Sequence, residues 1–149
     1  MLYIQYADNL AIVHSQTVYP KCGNHAYLNN MENTYIIKEN EIMTKEISEV
    51  DFDKFVDENP NVLIDCWAPW CGPCRRLGPI IDEISTEFGS QVAVAKLNVD
   101  DAQVISMRFN ITAIPAMLMF KDGVMVNALV GLRPKDEIVG VMKDLGLIG

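Results

Sequence analysis

A change in hydrophobic period near the middle of the chain restricts the fold more than any other feature. Residues 62–67, Val-Leu-Ile-Asp-Cys-Trp, form a nearly continuous apolar run of strand length, which is typical of a central strand covered on both faces. Between Gly72 and Phe88 the apolar residues instead recur at helical spacing, with acidic residues between them, so an amphipathic helix is expected. A doubly covered strand followed by such a helix predicts a sheet with helices packed against it.

The same two periods continue toward the end of the chain. An Asp-Gly turn joins the last two strands and is a strong hairpin signal, and Met117, Met119 and Met125 fall at strand spacing and are expected in the core. The pattern predicts an α/β fold, a central mixed β-sheet flanked by helices on both faces. The predicted elements are a short helix ending at Asn59, strands at 62–67, 92–99, 116–120 and 124–129, and helices at 72–88, 101–109 and 134–145.

Composition excludes several classes of function. Half of the 149 residues are apolar, so the chain can build a core without disulfide staples, and four cysteines are too few for a secreted disulfide framework. A net charge of −8 without a block of lysine and arginine argues against nucleic acid as a partner. We also find no signal peptide and no apolar stretch of membrane-spanning length. A reducing, cytoplasmic setting without membrane attachment is expected.

The character of the chain changes at residue 42. All five tyrosines and both histidines precede residue 43, and all five phenylalanines follow it. We therefore expect residues 1–42 to be an N-terminal extension, either a strand or hairpin or a flexible segment, and residues 43–149 to be the main domain. Because patterned structure begins directly after Met43, a second hypothesis is that Met43 is the true start and the extension is mis-assigned.

Two cysteines stand three residues apart in the stretch WAPWCGPCRRLGP, residues 67–79. Cys71 would lie at the start of the predicted helix, where free backbone N–H groups and the helix dipole favour a thiolate. Cys74, one turn later, would face the sheet, shielded from solvent and able to attack a mixed disulfide formed on Cys71. The spacing by itself also fits half of a metal site or a pair of inert buried thiols.

Asp65 interrupts the apolar strand run, and a buried carboxylate is costly unless it is protonated or paired. Lys96, embedded in the next predicted strand, is the expected partner. Cys66 should point to the opposite face of the strand from Asp65, where a packed and inert thiol is expected.

The segments DCWAPWCGPC, VAKLNVD, AIPA and KDGVMV, together with a helix that contains Pro79, resemble thioredoxin over residues 44–147. The resemblance implies a thioredoxin fold with the element order βαβαβαββα. It further implies a protein-disulfide reductase in which Cys71 attacks, Cys74 resolves and Asp65 manages the proton of the resolving thiol. Lys96 would then tune Asp65.

The resemblance also implies a substrate groove and a set of partners. Pro115 would be a cis-proline that faces the disulfide, and a thioredoxin reductase-like donor would regenerate the dithiol for disulfide-containing protein substrates. The chain itself would be a cytoplasmic monomer in electron transport and redox homeostasis, with no bound cofactor or metal. The other residues implied to contact the substrate are Trp70, Gly72, Pro73, Ile114 and Gly131.

Three alternatives remain open from the sequence. A disulfide oxidase or isomerase of the same fold would have a higher redox potential and would need an oxidising compartment. A non-catalytic docking module would keep its partner binding after Cys71→Ser substitution. A zinc protein would need Cys22 and His25 to complete a four-ligand site and would lose metal when Cys22 is replaced.

Overall fold

The computed structural model describes residues 3–7, 10–14, 27–28, 34–38 and 44–149. The chain divides into two compact units, Met1–Ile42 and Met43–Gly149. Cys22 and His25 lie outside the described residues, and the hypothesis of a start at Met43 stays a prediction. In the first unit an antiparallel sheet of order β1-β2-β4-β3 is formed by β1 (Tyr3–Ala7), β2 (Leu10–His14), β3 (Tyr27–Leu28) and β4 (Thr34–Lys38).

The second unit is a five-stranded mixed sheet of order β5-β7-β6-β8-β9 with four α-helices. The strand β7 runs parallel to β5 and β6, whereas β8 runs antiparallel to β6 and β9. The order βαβαβαββα confirms the predicted fold. Its elements are β5 (Lys45–Ile47), a 3₁₀ helix (Glu49–Asp51), α1 (Phe52–Asp57), β6 (Asn61–Trp67), α2 (Gly72–Phe88), β7 (Ala93–Asn98), α3 (Gln103–Arg108), β8 (Ala116–Lys121), β9 (Val124–Val130) and α4 (Lys135–Asp144).

The central strand β6 is covered on both faces, as its apolar run predicts. Ile64 belongs to a buried cluster with Phe52 of α1 and Ile105 of α3. Leu63 belongs to a second buried cluster, which contains residues of α2 and α4. Because side chains alternate along a strand, Asp65 lies on the same face as Leu63, under α2. The fold therefore places this carboxylate on the side of the sheet that carries the cysteine pair.

The outer strand β9 is less covered than the hairpin pattern predicts. Met117 and Met119 of β8 are fully buried, as expected, but Met125 of β9 is 40% exposed, so its predicted place in the core is wrong. The reason is its position, because β9 is an edge strand with a neighbour on one side only. In the described part of the chain, no helix has the length and apolar character needed to cross a bilayer.

Candidate functional site

The start of α2 positions the two cysteines. Cys71 is the N-cap residue, with extended backbone angles, and Gly72 and Pro73 form the first helical positions. Cys71 and Cys74 form a disulfide in this structure, and the backbone N–H of Cys74 donates a hydrogen bond to Cys71 Sγ over 3.2 Å. The N–H groups of a first helical turn lack partners within the helix. A thiolate on Cys71 would be stabilised by this donor and by the helix dipole once the disulfide opens.

The cysteine pair is buried beneath a partly exposed surface. Cys71 and Cys74 are 4% and 3% exposed and form a small cluster with Ala68, against which Ile114 packs. Trp70, directly before the pair, is 69% exposed. Its indole N–H is held by the Asp100 carboxylate, with 3.1 Å between Nε1 and Oδ2. The aromatic ring of the residue directly before Cys71 is therefore held in a defined orientation and exposed to solvent.

A loop distant in sequence reaches the same place. The Ile114–Pro115 peptide bond is cis, as the resemblance implies. The Pro115 carbonyl accepts a hydrogen bond from the Gly131 N–H over 2.8 Å, and Gly131 has a φ of +92°, which other residue types adopt only with strain. This hydrogen bond joins the loop before β8 to the loop after β9. The loop before β8 contains Ile114, which packs against the cysteine cluster.

Asp65 lies in the interior next to this pair. The residue is 1% exposed, and its Oδ1 has no hydrogen-bond partner. Burial raises the pKa of the carboxyl to about 7; the positive charge of Lys96 opposes this rise and the negative charge of Asp82 adds to it. Asp65 and Cys74 line one cavity of about 200 Å³, together with Trp67, Arg75, Gly78 and Lys96. A buried carboxyl with a pKa near neutrality therefore shares a cavity with the second cysteine.

The partner of Lys96 differs from the one expected from sequence. Its Nζ lies 2.8 Å from Asp82 Oδ1 in α2, so the expected direct pairing with Asp65 is wrong, although the charge of Lys96 still acts on Asp65. The side chain of Asp82 is 41% exposed and therefore carries a charge at a lower desolvation cost than the buried Asp65. Thr44 Oγ1 donates to the same Asp82 oxygen over 2.7 Å.

Sequence reasoning missed Asp82, although a signal was present. Residues 74, 78 and 82 are spaced four apart and therefore share one face of a helix. Since Cys74 was expected to face the sheet, Asp82 two turns later should lie near the same strands. The acidic residues of α2 enter the sequence-based prediction only as the polar positions between its apolar ones.

The remaining thiol of the described residues does not contribute to this site. Cys66 is fully buried in the cluster on the opposite face of β6. This placement confirms a packed thiol on the opposite face from Asp65. Burial, with a further contribution from the charge of Asp65, raises the pKa of the thiol to about 12 and so keeps it protonated near neutral pH. Within the described ranges there is no group of three or more His, Cys, Asp or Glu residues that could hold a metal ion.

Residues 43–144 match the family model for thioredoxin. The chain belongs to the thioredoxin family. It is 40% identical over 99 residues to the thioredoxin of Haemophilus influenzae, which covers 66% of this chain and 92% of that protein. It is 35% identical over 102 residues to the thioredoxin of Alicyclobacillus acidocaldarius, covering 68% and 97%. These matches fall on the second unit, which carries the cysteine pair.

Solved structures that superpose on this chain are also thioredoxins. A thioredoxin variant from Halobacterium salinarum NRC-1 superposes with a TM-score of 0.65 at 28% identity, covering 70% of this chain and 91% of that one. Oxidised mitochondrial thioredoxin 3 from Saccharomyces cerevisiae superposes with a TM-score of 0.61 at 25% identity, covering 67% and 94%.

Family membership and the Cys-Gly-Pro-Cys disulfide together establish the activity. The protein is a thiol-disulfide oxidoreductase that reduces protein disulfides through a Cys71/Cys74 dithiol-disulfide cycle. Thioredoxins carry out this exchange with the cysteine pair itself and need no further cofactor. Membership also indicates the kinds of partner, a thioredoxin reductase and proteins with reducible disulfides.

Proposed function

We propose that Cys71 attacks, Cys74 resolves and Asp65 takes the proton of the resolving thiol. The Cys71 thiolate attacks one sulfur of the partner disulfide, the partner's S–S bond breaks, and the leaving thiolate takes a proton from solvent. Cys74 then transfers its proton to the Asp65 carboxylate and attacks Cys71 Sγ. The mixed disulfide breaks, the second partner thiolate leaves and is protonated, and the Cys71–Cys74 disulfide remains. Two electrons have passed to the partner.

The shared cavity of Cys74 and Asp65 supports this assignment. Cys74 is buried and, unlike Cys71, is not the N-cap residue of α2, so a nearby base is needed to form the attacking thiolate. Asp65 Oδ1 is buried without a hydrogen-bond partner, and therefore has a free acceptor position. The pKa of about 7 lets this carboxyl accept and return a proton near neutral pH.

We propose that the surface around Cys71 binds the partner backbone. Trp70 is largely exposed and held by Asp100, and Ile114 packs against the cysteine cluster. The hydrogen bond between Gly131 and Pro115 supports the loop that carries Ile114. The residues assigned to this surface are Trp70, Gly72, Pro73, Ile114, Pro115 and Gly131.

We propose that the chain works in the cytoplasm as a monomeric electron carrier, reduced again by a thioredoxin reductase-like enzyme. The low cysteine content supports a reducing compartment. Residues 1–42 are proposed to be an accessory unit of this domain, because they form a separate compact unit with a sheet of their own.

A Cys74→Ser protein should trap its partner. Without the resolving sulfur, the mixed disulfide on Cys71 persists, and we expect close to one covalently attached molecule per chain when a small protein with a single exposed disulfide is supplied. Non-reducing electrophoresis and intact-mass measurement quantify the adduct, and dithiothreitol should release it. The double variant Cys71→Ser/Cys74→Ser is the matched control. An adduct of equal yield in the control would show that Cys71 is not the attacking sulfur.

An Asp65→Asn protein should resolve the mixed disulfide more slowly and with a different pH dependence. Asp65 acts as a base only when ionised, so in the parent protein the resolving rate should rise with pH through the carboxyl pKa of about 7 and then level off. We expect this rise to disappear in the variant, with a loss of about 100-fold above pH 7, typical of a missing general base. Stopped-flow decay of a preformed adduct measures the rate. Identical pH profiles would remove Asp65 from the mechanism.

A further inference from the structure

Thr44, Asp82 and Lys96 form a hydrogen-bonded cluster beside the redox cavity that the reaction above does not use. Asp82 Oδ1 accepts one hydrogen bond from Lys96 Nζ over 2.8 Å and a second from Thr44 Oγ1 over 2.7 Å. Asp82 belongs to α2, Lys96 belongs to β7, and Thr44 is the residue directly before β5. The cluster therefore ties the helix that carries the cysteines to two strands of the sheet.

The position of Lys96 between two carboxylates makes this cluster relevant to catalysis. Lys96 is the register partner of Asp65 across β6 and β7, so both side chains project from the same face of the sheet. Gly78 of α2 adds no side chain between them, and a Cβ there would lie 3.9 Å from Lys96 Nζ. The lysine stem is flexible enough to direct its ammonium to Asp65 or to Asp82, and in the structure the ammonium is bonded to Asp82.

We propose that Asp82 is a positioning residue of the reductase, which, held by Thr44, keeps the Lys96 ammonium away from Asp65. Asp65 then keeps a free oxygen for the Cys74 proton instead of being held as a paired carboxylate. The inference rests on the proposed role of Asp65 as the proton acceptor. It assigns a function to a partly exposed carboxylate that touches neither cysteine.

The other charged groups near Asp65 are few in the described structure. Arg75 of α2 lines the same cavity but is exposed. Glu46 of β5 is the register partner of Lys96 and is also exposed. On β8, the other neighbour of β6, the residue facing Asp65 is the apolar Met117. The main interaction that can change around the buried carboxyl is therefore that of the Lys96 ammonium, which pairs with either Asp65 or Asp82.

Asp82→Asn should lower the pKa of Asp65 by two effects of the same sign. The substitution removes a negative charge that opposes the ionisation of Asp65, and it releases Lys96 to pair with Asp65. An opposite charge brought within hydrogen-bonding range lowers a carboxyl pKa by roughly 1–3 units. A carboxylate held in this way is a weaker base, so the resolving step should be slower and its pH profile should move to lower pH.

Carboxyl titration by ¹³C NMR in the oxidised protein tests the inference directly. We expect Asp82→Asn to move the titration midpoint of Asp65 down by at least about one pH unit, and Asp82→Glu, which keeps the charge, to restore most of the parent value. Glu83→Gln is the matched control, since it removes one carboxylate from the same helix at a residue paired with Lys135. It should leave the midpoint within about 0.2 pH units, because exposed charges are strongly screened.

The Lys96→Met background separates a positioning role from a simple charge effect. If Asp82 acts by holding Lys96, the shift caused by Asp82→Asn should fall to less than half in the Lys96→Met protein, because no ammonium is left to be released. Shifts of equal size in both backgrounds, or no shift in either, would overturn the proposal.

The rate of the resolving step separately tests the proposed role of Asp65, on which this inference rests. Failure of Asp65→Asn to change the pH profile would refute the proton-transfer role of Asp65, whereas the NMR midpoints would still decide whether Asp82 controls Lys96. The two failures are therefore distinguishable.

Discussion

Disulfide reduction by a Cys71→Ser protein is expected to fall to the uncatalysed rate, a loss on the order of 1,000-fold or more. The hydroxyl of serine is not ionised near neutral pH and does not form a mixed disulfide. The other described thiols are poor substitutes, because Cys74 lacks the N-cap position that favours a thiolate on Cys71 and Cys66 is fully buried on the opposite face of β6. The assay supplies a protein disulfide with an excess of chemical dithiol and counts the free thiols formed, after subtraction of the reaction without the chain.

Two matched variants make the result specific to Cys71. Cys66→Ala removes a thiol that burial keeps protonated, with a pKa of about 12, and should retain full activity per folded molecule. Cys22→Ser removes the one cysteine outside the described residues and serves as the background for all measurements. Substantial activity of Cys71→Ser in this background would contradict the assignment. Partner binding without reduction in the same protein would instead reveal a docking role beside the redox role.

The elements of the fold were predictable because periodic apolar patterns record which faces are covered. The predicted helix 72–88 has the same bounds as α2, and the predicted strand 62–67 lies within β6. The placement of Asp65 and Cys66 on opposite faces of β6 also follows from alternation along a single strand. These are local properties, fixed by the order of residues within one element.

The errors arose where the outcome depends on several elements at once. The Lys96 ammonium can pair with a carboxylate of β6 or with one of α2. Which of the two it pairs with depends on how exposed to water each carboxylate is, and the sequence of β7 does not determine that exposure. Met125 shows the same limit, because its spacing fits a core strand while its exposure follows from β9 being at the edge of the sheet.

The functional site was only partly accessible to physical reasoning on the residues. The spacing of Cys71 and Cys74 and the isolated carboxylate of Asp65 point to proton-coupled sulfur chemistry without any comparison. Pro115 and Gly131, by contrast, were identified through family resemblance. Their link is a backbone hydrogen bond between two loops 16 residues apart in sequence, and loop contacts of this kind follow no residue period.

A Phe120→Ala protein is expected to lose about 3–5 kcal/mol of unfolding free energy. Phe120 of β8 is 2% exposed, and its ring meets those of Phe52 and Phe109 edge to face, with centroids 5.8 and 5.4 Å apart. The substitution leaves a cavity where β8, α1 and the residue after α3 meet. Since domains of this size have a total stability of about 5–15 kcal/mol, this loss is a large fraction. Urea denaturation of the oxidised protein measures it.

Met125→Ala is the matched control, because Met125 is the register partner of Phe120 across the hairpin but is 40% exposed. We expect Met125→Ala to lose less than about 1 kcal/mol of unfolding free energy.

Phe120 packs in the cluster on the α1 and α3 side of the sheet, whereas Asp65 and Cys74 share a cavity under α2. The folded fraction of Phe120→Ala should therefore keep its resolving rate and the pH dependence of that rate. Equal losses of stability for the two variants would contradict the assignment of Phe120 to the core, and a changed pH profile would show that the two sides of the sheet are coupled.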